Sequence, residues 1–396
     1  MRWISKLWLV LTLAALEPAC TFYACPDKCG PDSNPTPQAG AGSSGQQPGS
    51  AGQATGGSSG AFVDNGTKPT GSWDNATGNL TELKSECGNM SYLSAKPDED
   101  VLIAGIARNG LWSSDDGGDS WTALGQDPMD SMFFNRPSFI LYDPKSTKTY
   151  WETGVYNGLG SFKTTDDGAT FTALGTMHND YISVDFADSK RRTVLISGHE
   201  ADHLLHQSTD GGKTWNELGG DEPKDAGACS FPIVIDPETY LLGCRGWGDS
   251  KSGIYRSTDA GSSWELVSSA GGASTPLFAS DGSIYFTSDA MGALARSEDQ
   301  GQTWTLTGTV GALQPFVGPV ELPDGRLAAI SGQHVVVSKN QGQTWTAVSV
   351  DAPYVPIGLV YSKFQKAFYV WHFTCGETTT QVPDDGVLRY DFDYEN

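Results

Sequence analysis

Basic residues are scarce in this chain. Its 396 residues include 25 Lys and Arg against 47 Asp and Glu, which gives a formal net charge of −22. No basic run occurs outside the segment around Arg191-Arg192. Nucleic acids and anionic membrane surfaces attract concentrated positive charge. We therefore expect neither nucleic acid nor a bare membrane surface as a partner.

Long apolar runs are also scarce. Residues 7–16 form an apolar run near the N-terminus that is too short to anchor a helix across a bilayer. Arg2 and Lys6 precede this run and Ala19-Cys20 follows it. A charged start, an apolar middle and a small residue at the end are the features of a secretory signal. The sequence therefore predicts a signal peptide over residues 1–19 and an exported protein.

The end of this signal resembles a bacterial lipobox. It reads Leu16-Glu17-Pro18-Ala19-Cys20, with a small residue before the cysteine, although Glu17 stands where the pattern usually has Leu. The resemblance implies a lipid on Cys20 and a lipoprotein of the outer membrane or cell surface. A secreted or periplasmic protein without a lipid is the alternative.

A low-complexity segment follows the signal. Between residue 31 and about residue 70 the composition is dominated by Gly, Ser, Gln, Pro and Ala. Such a segment cannot bury enough apolar surface to fold. We expect residues 20–70 to be a disordered tether, with the lipid on Cys20 as the protein's only contact with the membrane.

One short pattern recurs six times in the rest of the chain. It reads Ser/Thr-x-Asp-x-Gly-x-Ser/Thr-Trp, with Phe171 and Asn340 as single departures, and its copies recur every 40–50 residues. The six copies, called the repeat turns below, are residues 114–121, 164–171, 208–215, 257–264, 297–304 and 338–345. This spacing is the length of one four-stranded propeller blade.

Each repeat turn stands between two β-type runs, which predicts a hairpin turn. Its Asp can accept hydrogen bonds from backbone N–H groups of the turn. Its Gly supplies a positive-φ position without steric cost, and its Trp begins the next strand and is large enough to wedge between blades.

These residues resemble the Asp-box, or BNR repeat, of sialidases, xyloglucan-type endoglucanases, sortilin-type receptors and Ycf48-like assembly factors. In those families the box is structural and lies far from the active face. The resemblance therefore implies a structural role, and no catalytic one, for Asp116, Asp166, Asp210, Asp259, Asp299 and Asn340.

The strand pattern predicts one all-β domain over residues 71–396, a seven-bladed propeller of four-stranded antiparallel blades. Six sets of four apolar runs each have a repeat turn before their last run, and a seventh set after residue 348 has no repeat turn and no fourth strand. Trp73 and its neighbours can supply that strand and close the ring without leaving an open edge. Six blades with an added decoration is the alternative.

Seven cysteines remain to be accounted for: Cys20, Cys25, Cys29, Cys87, Cys229, Cys244 and Cys375. If Cys20 carries a lipid, an even number remains, which suits an oxidising compartment. Cys229 and Cys244 fall on successive strands of one predicted blade, and Cys87 and Cys375 near the two ends of the domain. We expect these two pairs, and possible closure of a small loop by Cys25 and Cys29.

The face opposite the repeat turns is the predicted ligand face, because loops on one rim of such a scaffold carry its ligand sites. Its loops concentrate aromatic, basic and histidine side chains. The candidate ligand-binding residues are Arg108, Phe134, Arg136, Tyr156, His178, His199, His203, Arg245, Trp247 and His334. Trp247, Phe134 and Tyr156 can stack on sugar rings or anchor a protein partner.

Two catalytic hypotheses are weaker. A sialidase needs three arginines, an acid/base carboxylate and a Tyr–Glu pair, and Phe134-Asn135-Arg136-Pro137 only approximates that family's Arg-Ile-Pro motif. A glycosidase of another kind could use Asp180 with Asp202 or Glu200 as an acid/base pair. Neither set is complete, so the sequence favours binding without turnover over glycoside hydrolysis.

We expect no metal and no cofactor. His199 and His203 have the i,i+4 spacing of a helical metal site, and His178 is near, but this segment is a loop. The expected partner is a glycan or a protein, and the expected state is a monomer.

Overall fold

The strand pattern of the sequence takes the form of seven four-stranded antiparallel sheets in the computed structural model. The structure describes residues 68–125, 136–156, 160–176, 178–199, 203–246, 250–288, 292–308, 313–375 and 381–395. Each sheet is one blade of a β-propeller, which confirms the prediction of seven blades over the alternative of six.

The first strand of the described residues, β1 (Asp74–Asn75), precedes blade 1. Blade 1 contains β2 (Met90–Ala95), β3 (Leu102–Ile106), β4 (Gly110–Ser114) and β5 (Thr122–Ala123). Blade 2 contains β6 (Arg136–Asp143), β7 (Ser146–Val155), β8 (Ser161–Thr164) and β9 (Thr172–Ala173). Blade 3 contains β10 (Asn179–Val184), β11 (Val194–Gly198), β12 (Leu205–Ser208) and β13 (Asn216–Glu217).

Blade 4 contains β14 (Ala228–Val234), β15 (Tyr240–Arg245), β16 (Gly253–Ser257) and β17 (Glu265–Ser268). Blade 5 contains β18 (Leu277–Phe278), β19 (Ile284–Thr287), β20 (Leu294–Ser297) and β21 (Thr305–Thr307). Blade 6 contains β22 (Val320–Glu321), β23 (Leu327–Ser331), β24 (His334–Ser338) and β25 (Thr346–Ala347). Blade 7 contains β26 (Gly358–Ser362), β27 (Ala367–Trp371) and β28 (Val387–Asp391), with β1 as its fourth strand.

Burial falls from the inner strands of each blade to the outer strand. The second strands β3, β11, β23 and β27 are buried at every position, because neighbouring blades cover both of their faces and their sequences are almost wholly apolar or small. The fourth strands β5, β9 and β13 are exposed at both positions and are polar or small. The core therefore lies between blades, as where Ile103 and Leu111 of blade 1 pack with Ile140 and Phe162 of blade 2.

The ring closes by pairing of its two ends. Strand β1 pairs antiparallel with β28, Asp74 opposite Arg389 and Asn75 opposite Leu388. The indole of Trp73 donates to the carbonyl of Val350 at 2.9 Å, so the N-terminal segment also contacts the end of blade 6. This closure leaves blade 7 with four strands and covers the edge of β28.

Two disulfides join parts of the ring. Cys87 and Cys375 connect the segment before blade 1 to the segment after β27, and Cys229 and Cys244 connect β14 to β15. All four cysteines of the described residues are paired, whereas Cys20, Cys25 and Cys29 lie outside the described residues. Disulfides of this kind are typical of proteins that fold in an oxidising compartment, and hence of exported proteins.

The six repeat turns share one hydrogen-bond pattern. In each, the first Ser or Thr hydroxyl donates to the Asp or Asn side chain at 2.8–3.0 Å. The Gly N–H donates to that same hydroxyl oxygen at 2.8–3.0 Å. The second Ser or Thr N–H donates to the Asp or Asn oxygen at 2.9 Å. These contacts satisfy backbone donors inside the turn, and each Gly has a positive φ.

The Trp at the end of a repeat turn reaches an adjacent blade. The indole of Trp215 in blade 3 donates to the carbonyl of Leu174 in the segment after blade 2, at 2.8 Å. That of Trp121 in blade 1 donates to the carbonyl of Ala76, next to β1 of blade 7, at 3.2 Å. The repeat turns thus link blades as well as strands.

Acid should destabilise the ring through the repeat turns. Hydrogen bonds from the backbone and hydroxyl of Thr214 lower the pKa of Asp210 from 3.8 to about 2. Because the pKa is depressed in the folded state, the stabilisation is complete above pH 3.8 and is lost as the pH falls toward 2. We expect the thermal unfolding midpoint to fall over that window. Asp210→Asn, which places at this position the residue found at Asn340, should make the unfolding midpoint fall less steeply with pH. An unchanged dependence on pH would show that Asp210 does not contribute to the acid effect.

Within the described ranges, the 3-10 segments Gly78–Glu82 and Gly219–Asp221 interrupt the strands. No helix found in the described ranges has the length and apolar character needed to cross a membrane.

Candidate functional site

Strand alternation gives the ring two distinct faces. In an antiparallel blade, successive connections lie at opposite ends of the strands. The repeat turns join third strands to fourth strands, so they share one end with the connections between first and second strands. We call this end the lower face. The upper face carries the connections between second and third strands and those from one blade to the next.

A cavity of about 400 Å³ occupies the central channel at the upper face. All seven blades contribute to its wall through the beginnings of their first strands or the residues just before them. The second strands of blades 3, 4 and 7 add His199, Arg245 and Trp371 at or just beyond their ends. First strands begin and second strands end at the upper face, so the lining residues place the cavity there.

Aromatic side chains form much of the cavity wall. They are Tyr92, Phe231, Phe316, Trp371 and Phe373. The rings of Tyr92 and Trp371 meet edge to face, with their centroids 6.1 Å apart. Burial raises the pKa of Tyr92 to about 12, so its phenol stays protonated at neutral pH. The wall can therefore contact an apolar surface of a ligand.

A glycine makes room for Trp371 in this wall. Gly358 of β26 pairs with Trp371 of β27, and a Cβ at position 358 would stand 2.0 Å from two carbons of the indole. Any side chain there would displace the indole. Gly358 thus sets where this ring lies along the channel.

Asp180, His199 and Tyr156 form a hydrogen-bonded chain beside the cavity. Nδ1 of His199 lies 2.5 Å from Oδ1 of Asp180, and Nε2 lies 2.9 Å from the hydroxyl oxygen of Tyr156. Asp180 and His199 line the cavity, and His199 is 7% exposed. An ionised carboxylate accepts hydrogen bonds but donates none, so Asp180 fixes the proton of His199 on Nδ1. With the proton on Nδ1, Nε2 is the acceptor of the hydrogen bond that the Tyr156 hydroxyl donates.

Side-chain hydrogen bonds between blades 2 and 3 hold this chain in place. The hydroxyl of Thr153 in β7 donates to the carbonyl of Asp180 at 3.2 Å. The side-chain amide of Asn179, which is fully buried, donates to the hydroxyls of Ser161 and Thr176, each at 2.8 Å. Asp180 is therefore anchored from two sides, and its carboxylate is directed at the end of β11, where His199 follows.

Arg136 and His178 surround Tyr156. The guanidinium carbon of Arg136 lies 4.4 Å from the centroid of the Tyr156 ring, which is a cation–π distance. The rings of His178 and Tyr156 lie 6.4 Å apart, and the backbone carbonyl of His178 accepts from the N–H of His199. Tyr156 and His178 have φ values of 61° and 55°, uncommon for residues with a side chain.

Arg245 forms the opposite part of the site. It ends β15 directly after Cys244, which is bonded to Cys229, and Cys229 also lines the cavity. Its guanidinium carbon lies 5.0 Å from the centroid of the Phe316 ring. Among the described residues, the cavity therefore presents one carboxylate, from Asp180, and one guanidinium, from Arg245, between aromatic walls.

Three sequence-predicted residues contact carboxylates away from the cavity lining. Arg108 pairs with Glu86 at 2.5 Å and is half exposed. The nearest nitrogen–oxygen distance between His203 and Glu222 is 3.6 Å, and His334 lies 3.0 Å from Asp351. The structure thus brings five predicted residues together: Arg136, Tyr156, His178, Asp180 and His199. Arg245 lines the same cavity as Asp180 and His199. Arg108, His203 and His334 are not among the residues that line it.

Four other predicted residues, Phe134, Trp247, Glu200 and Asp202, lie outside the described residues. Across the described ranges, no group of three or more His, Cys, Asp or Glu side chains could hold a metal ion.

Sequence reasoning missed most of the cavity wall. Four of its aromatic residues belong to inner strands or their ends, where an aromatic residue is expected in the core: Tyr92, Phe231, Trp371 and Phe373. The fifth, Phe316, lies in a blade-joining segment. Their positions could have indicated this role. The four strand residues lie near the beginnings of first strands or the ends of second strands, which are the points nearest the channel on the upper face.

No protein-family model matches the chain. No curated protein matches it either.

Solved structures share the fold. A GH74 xyloglucanase from Xanthomonas campestris is 18% identical with a TM-score of 0.53, over 82% of this chain and 56% of that one. YCF48 bound to D1 peptide is 14% identical with a TM-score of 0.53, over 85% and 99%. The extracellular domain of a hybrid two-component system from B. thetaiotaomicron is 11% identical with a TM-score of 0.53, over 81% and 39%. The chain thus spans about half or less of the first and third of these. At these identities the likeness shows a β-propeller fold.

Proposed function

We propose that this chain is an exported propeller that binds the end of a glycan in the cavity of its upper face. The observation that carries the proposal is the combination of aromatic rings with one carboxylate and one guanidinium around a small cavity. A sugar presents an apolar C–H face, which stacks on aromatic rings, and hydroxyl groups, which donate to Asp180 and accept from Arg245. A protein partner that inserts a side chain or terminus is the alternative.

The position of the cavity favours capture of a ligand's end. Among the described residues, the first strands of all seven blades surround it, which makes it a closed ring of wall rather than a cleft between two walls. Its volume of about 400 Å³ is at the low end of the range for small-ligand sites. A terminal sugar unit fits this description better than an internal one.

The N-terminal segment completes the proposal. A lipid on Cys20 and a tether over residues 20–70 would hold the ring near a cell surface, and the two disulfides support export. A membrane-bound, freely oriented ring could present its upper face to glycans in the surroundings.

Turnover is a second candidate function, and one observation favours it. Asp180, His199 and Tyr156 form a polarised hydrogen-bonded chain beside the cavity, as acid–base groups do in active sites. This chain differs from the Tyr–Glu pair that sialidase chemistry requires, because the partner of Tyr156 in it is a histidine.

A glycan array read for retention and for released sugar tests both candidates. We expect retention of glycans that share a terminal unit, and at least a tenfold loss of affinity in Arg245→Ala or Phe316→Ala, because each removes a side chain that is proposed to contact the sugar. Arg192→Ala and Phe364→Ala are matched controls on the lower face, where both side chains are exposed, and should bind normally.

The remaining outcomes are equally definite. Release of sialic acid or of reducing sugar would establish turnover and show that binding without turnover is wrong. If no glycan is retained and added glycans leave the unfolding temperature of the chain unchanged, the glycan proposal is wrong and a protein partner is favoured.

A further inference from the structure

We propose that Tyr156 is a nucleophilic phenol activated by His199. In this reaction, called the relay below, the Tyr156 oxygen bonds to an acyl or sulfonyl electrophile as the bond from that electrophile to its leaving group breaks. The phenol's proton moves to Nε2 of His199, and Asp180 stabilises the resulting imidazolium. This reactivity does not rest on the proposed glycan ligand.

The first support is the direction of the hydrogen bonds. Asp180 holds the proton of His199 on Nδ1, so the lone pair of Nε2 faces the Tyr156 hydroxyl at 2.9 Å. A base already bonded to the phenol proton is the arrangement that activates an oxygen nucleophile or proton acceptor. The carboxylate also favours the charged imidazolium that forms when the proton moves.

The second support is the charge over the ring. The guanidinium of Arg136 lies 4.4 Å from the ring centroid of Tyr156, and Arg136 is 6% exposed. Because a phenolate carries negative charge into its ring, a buried cation there stabilises the phenolate more than the phenol. His199 and Arg136 therefore act on Tyr156 in the same direction.

The third support is position. Both Asp180 and His199 line the cavity, so the Tyr156 oxygen stands one hydrogen bond from its wall. Tyr156 keeps a left-handed backbone, with φ at 61°, and non-glycine residues in that region cluster at functional sites. The strained backbone turns the ring between Arg136 and His199.

The chain contains a natural comparison for this arrangement. His372 is hydrogen-bonded to Asp385 at 3.0 Å and stacks on the ring of Tyr354 at 3.9 Å. The hydroxyl of Tyr354, however, donates to the backbone carbonyl of Val370 at 3.4 Å. Burial raises the pKa of Tyr354. The same three residue types are thus present without the hydroxyl–imidazole bond.

Labelling with an aryl sulfonyl fluoride at neutral pH tests the proposal without any ligand. The phenol oxygen attacks sulfur, fluoride leaves, and the phenol proton passes to His199. Peptide mass spectrometry should find Tyr156 modified at least tenfold faster than Tyr354. His199→Gln and Asp180→Asn should each slow labelling of Tyr156 by tenfold or more, while His372→Gln, the matched control, should leave it unchanged.

Labelling of Tyr156 at the rate of Tyr354, or full labelling in His199→Gln, would overturn the relay. Should those variants unfold, carbon-13 NMR of labelled tyrosine in the unaltered chain decides the question. A Tyr156 Cζ shift displaced toward the phenolate value supports the relay, and an ordinary phenol shift overturns it. Fast labelling with no glycan retained would contradict the proposed function alone.

Discussion

Removal of residues 1–77 is expected to lower the unfolding free energy by on the order of 6 kcal/mol relative to removal of residues 1–67. The shorter chain lacks β1 and therefore leaves blade 7 with three strands. The expected loss combines about 3 kcal/mol for the partly buried Trp73 side chain with about 1 kcal/mol for each lost hydrogen bond. This is a large share of the stability of a typical domain.

The hydrogen bonds that would be lost connect the two ends of the ring. The N–H of Ala76 donates to the carbonyl of Val387 at 3.0 Å, and the N–H of Val387 donates to the hydroxyl of Thr77 at 3.0 Å. The indole of Trp121 also donates to the carbonyl of Ala76. Removing the segment thus exposes the edge of β28 and leaves the Trp121 indole with only the carbonyl of Gly118, at 3.1 Å, as its acceptor, so aggregation should accompany the exposed edge.

Chemical unfolding followed by tryptophan fluorescence, with light scattering for aggregation, measures both effects. A chain that begins at Gly71 is the matched control, because it loses the contact between the Tyr390 hydroxyl and the carbonyl of Thr70 but keeps β1. Equal unfolding free energies for the two shortened chains would show that β1 does not close the ring.

The architecture could be predicted because it depends on local patterns that repeat. Each repeat turn contains its own hydrogen-bond acceptors and its own positive-φ glycine, so its conformation is decided within eight residues. The seventh blade has no repeat turn and only three strands of its own. The segment around Trp73 belongs to no other blade, which indicated that it supplies the fourth strand and closes the ring. Register at that closure, Asp74 opposite Arg389, depends on the whole ring.

The candidate site could be predicted only in part, because it depends on how blades meet. Tyr156 and His199 were candidates from their loops, but the bonds joining them to Asp180 arise between blades 2 and 3. The sequence interpretation paired Asp180 with Asp202 or Glu200, whereas the contact present among described residues is with His199. Phe316 approaches Arg245 from a blade two positions away. No local pattern specifies that distance.

Removing the disulfide between Cys87 and Cys375 is the second large expected effect. The double substitution Cys87→Ala and Cys375→Ala should lower the unfolding free energy by about 5 kcal/mol, since the bond closes a loop with a sequence separation of 288 and long loops restrict the unfolded chain most. The matched pair, Cys229→Ala with Cys244→Ala, closes a loop with a separation of 15, for which about 3 kcal/mol is expected.

The two disulfides should also differ in what they do to ligand binding. Cys229 lines the cavity and Cys244 directly precedes Arg245, so losing their bond should loosen the guanidinium and weaken binding. The bond between Cys87 and Cys375 lies outside the cavity lining, so its loss should lower stability with affinity unchanged at temperatures where the ring stays folded. Denaturant titrations and glycan affinities on the two double variants measure both quantities. Equal stability losses would contradict the entropic argument, and weaker binding in the Cys87 and Cys375 variant would show that ring closure itself shapes the cavity.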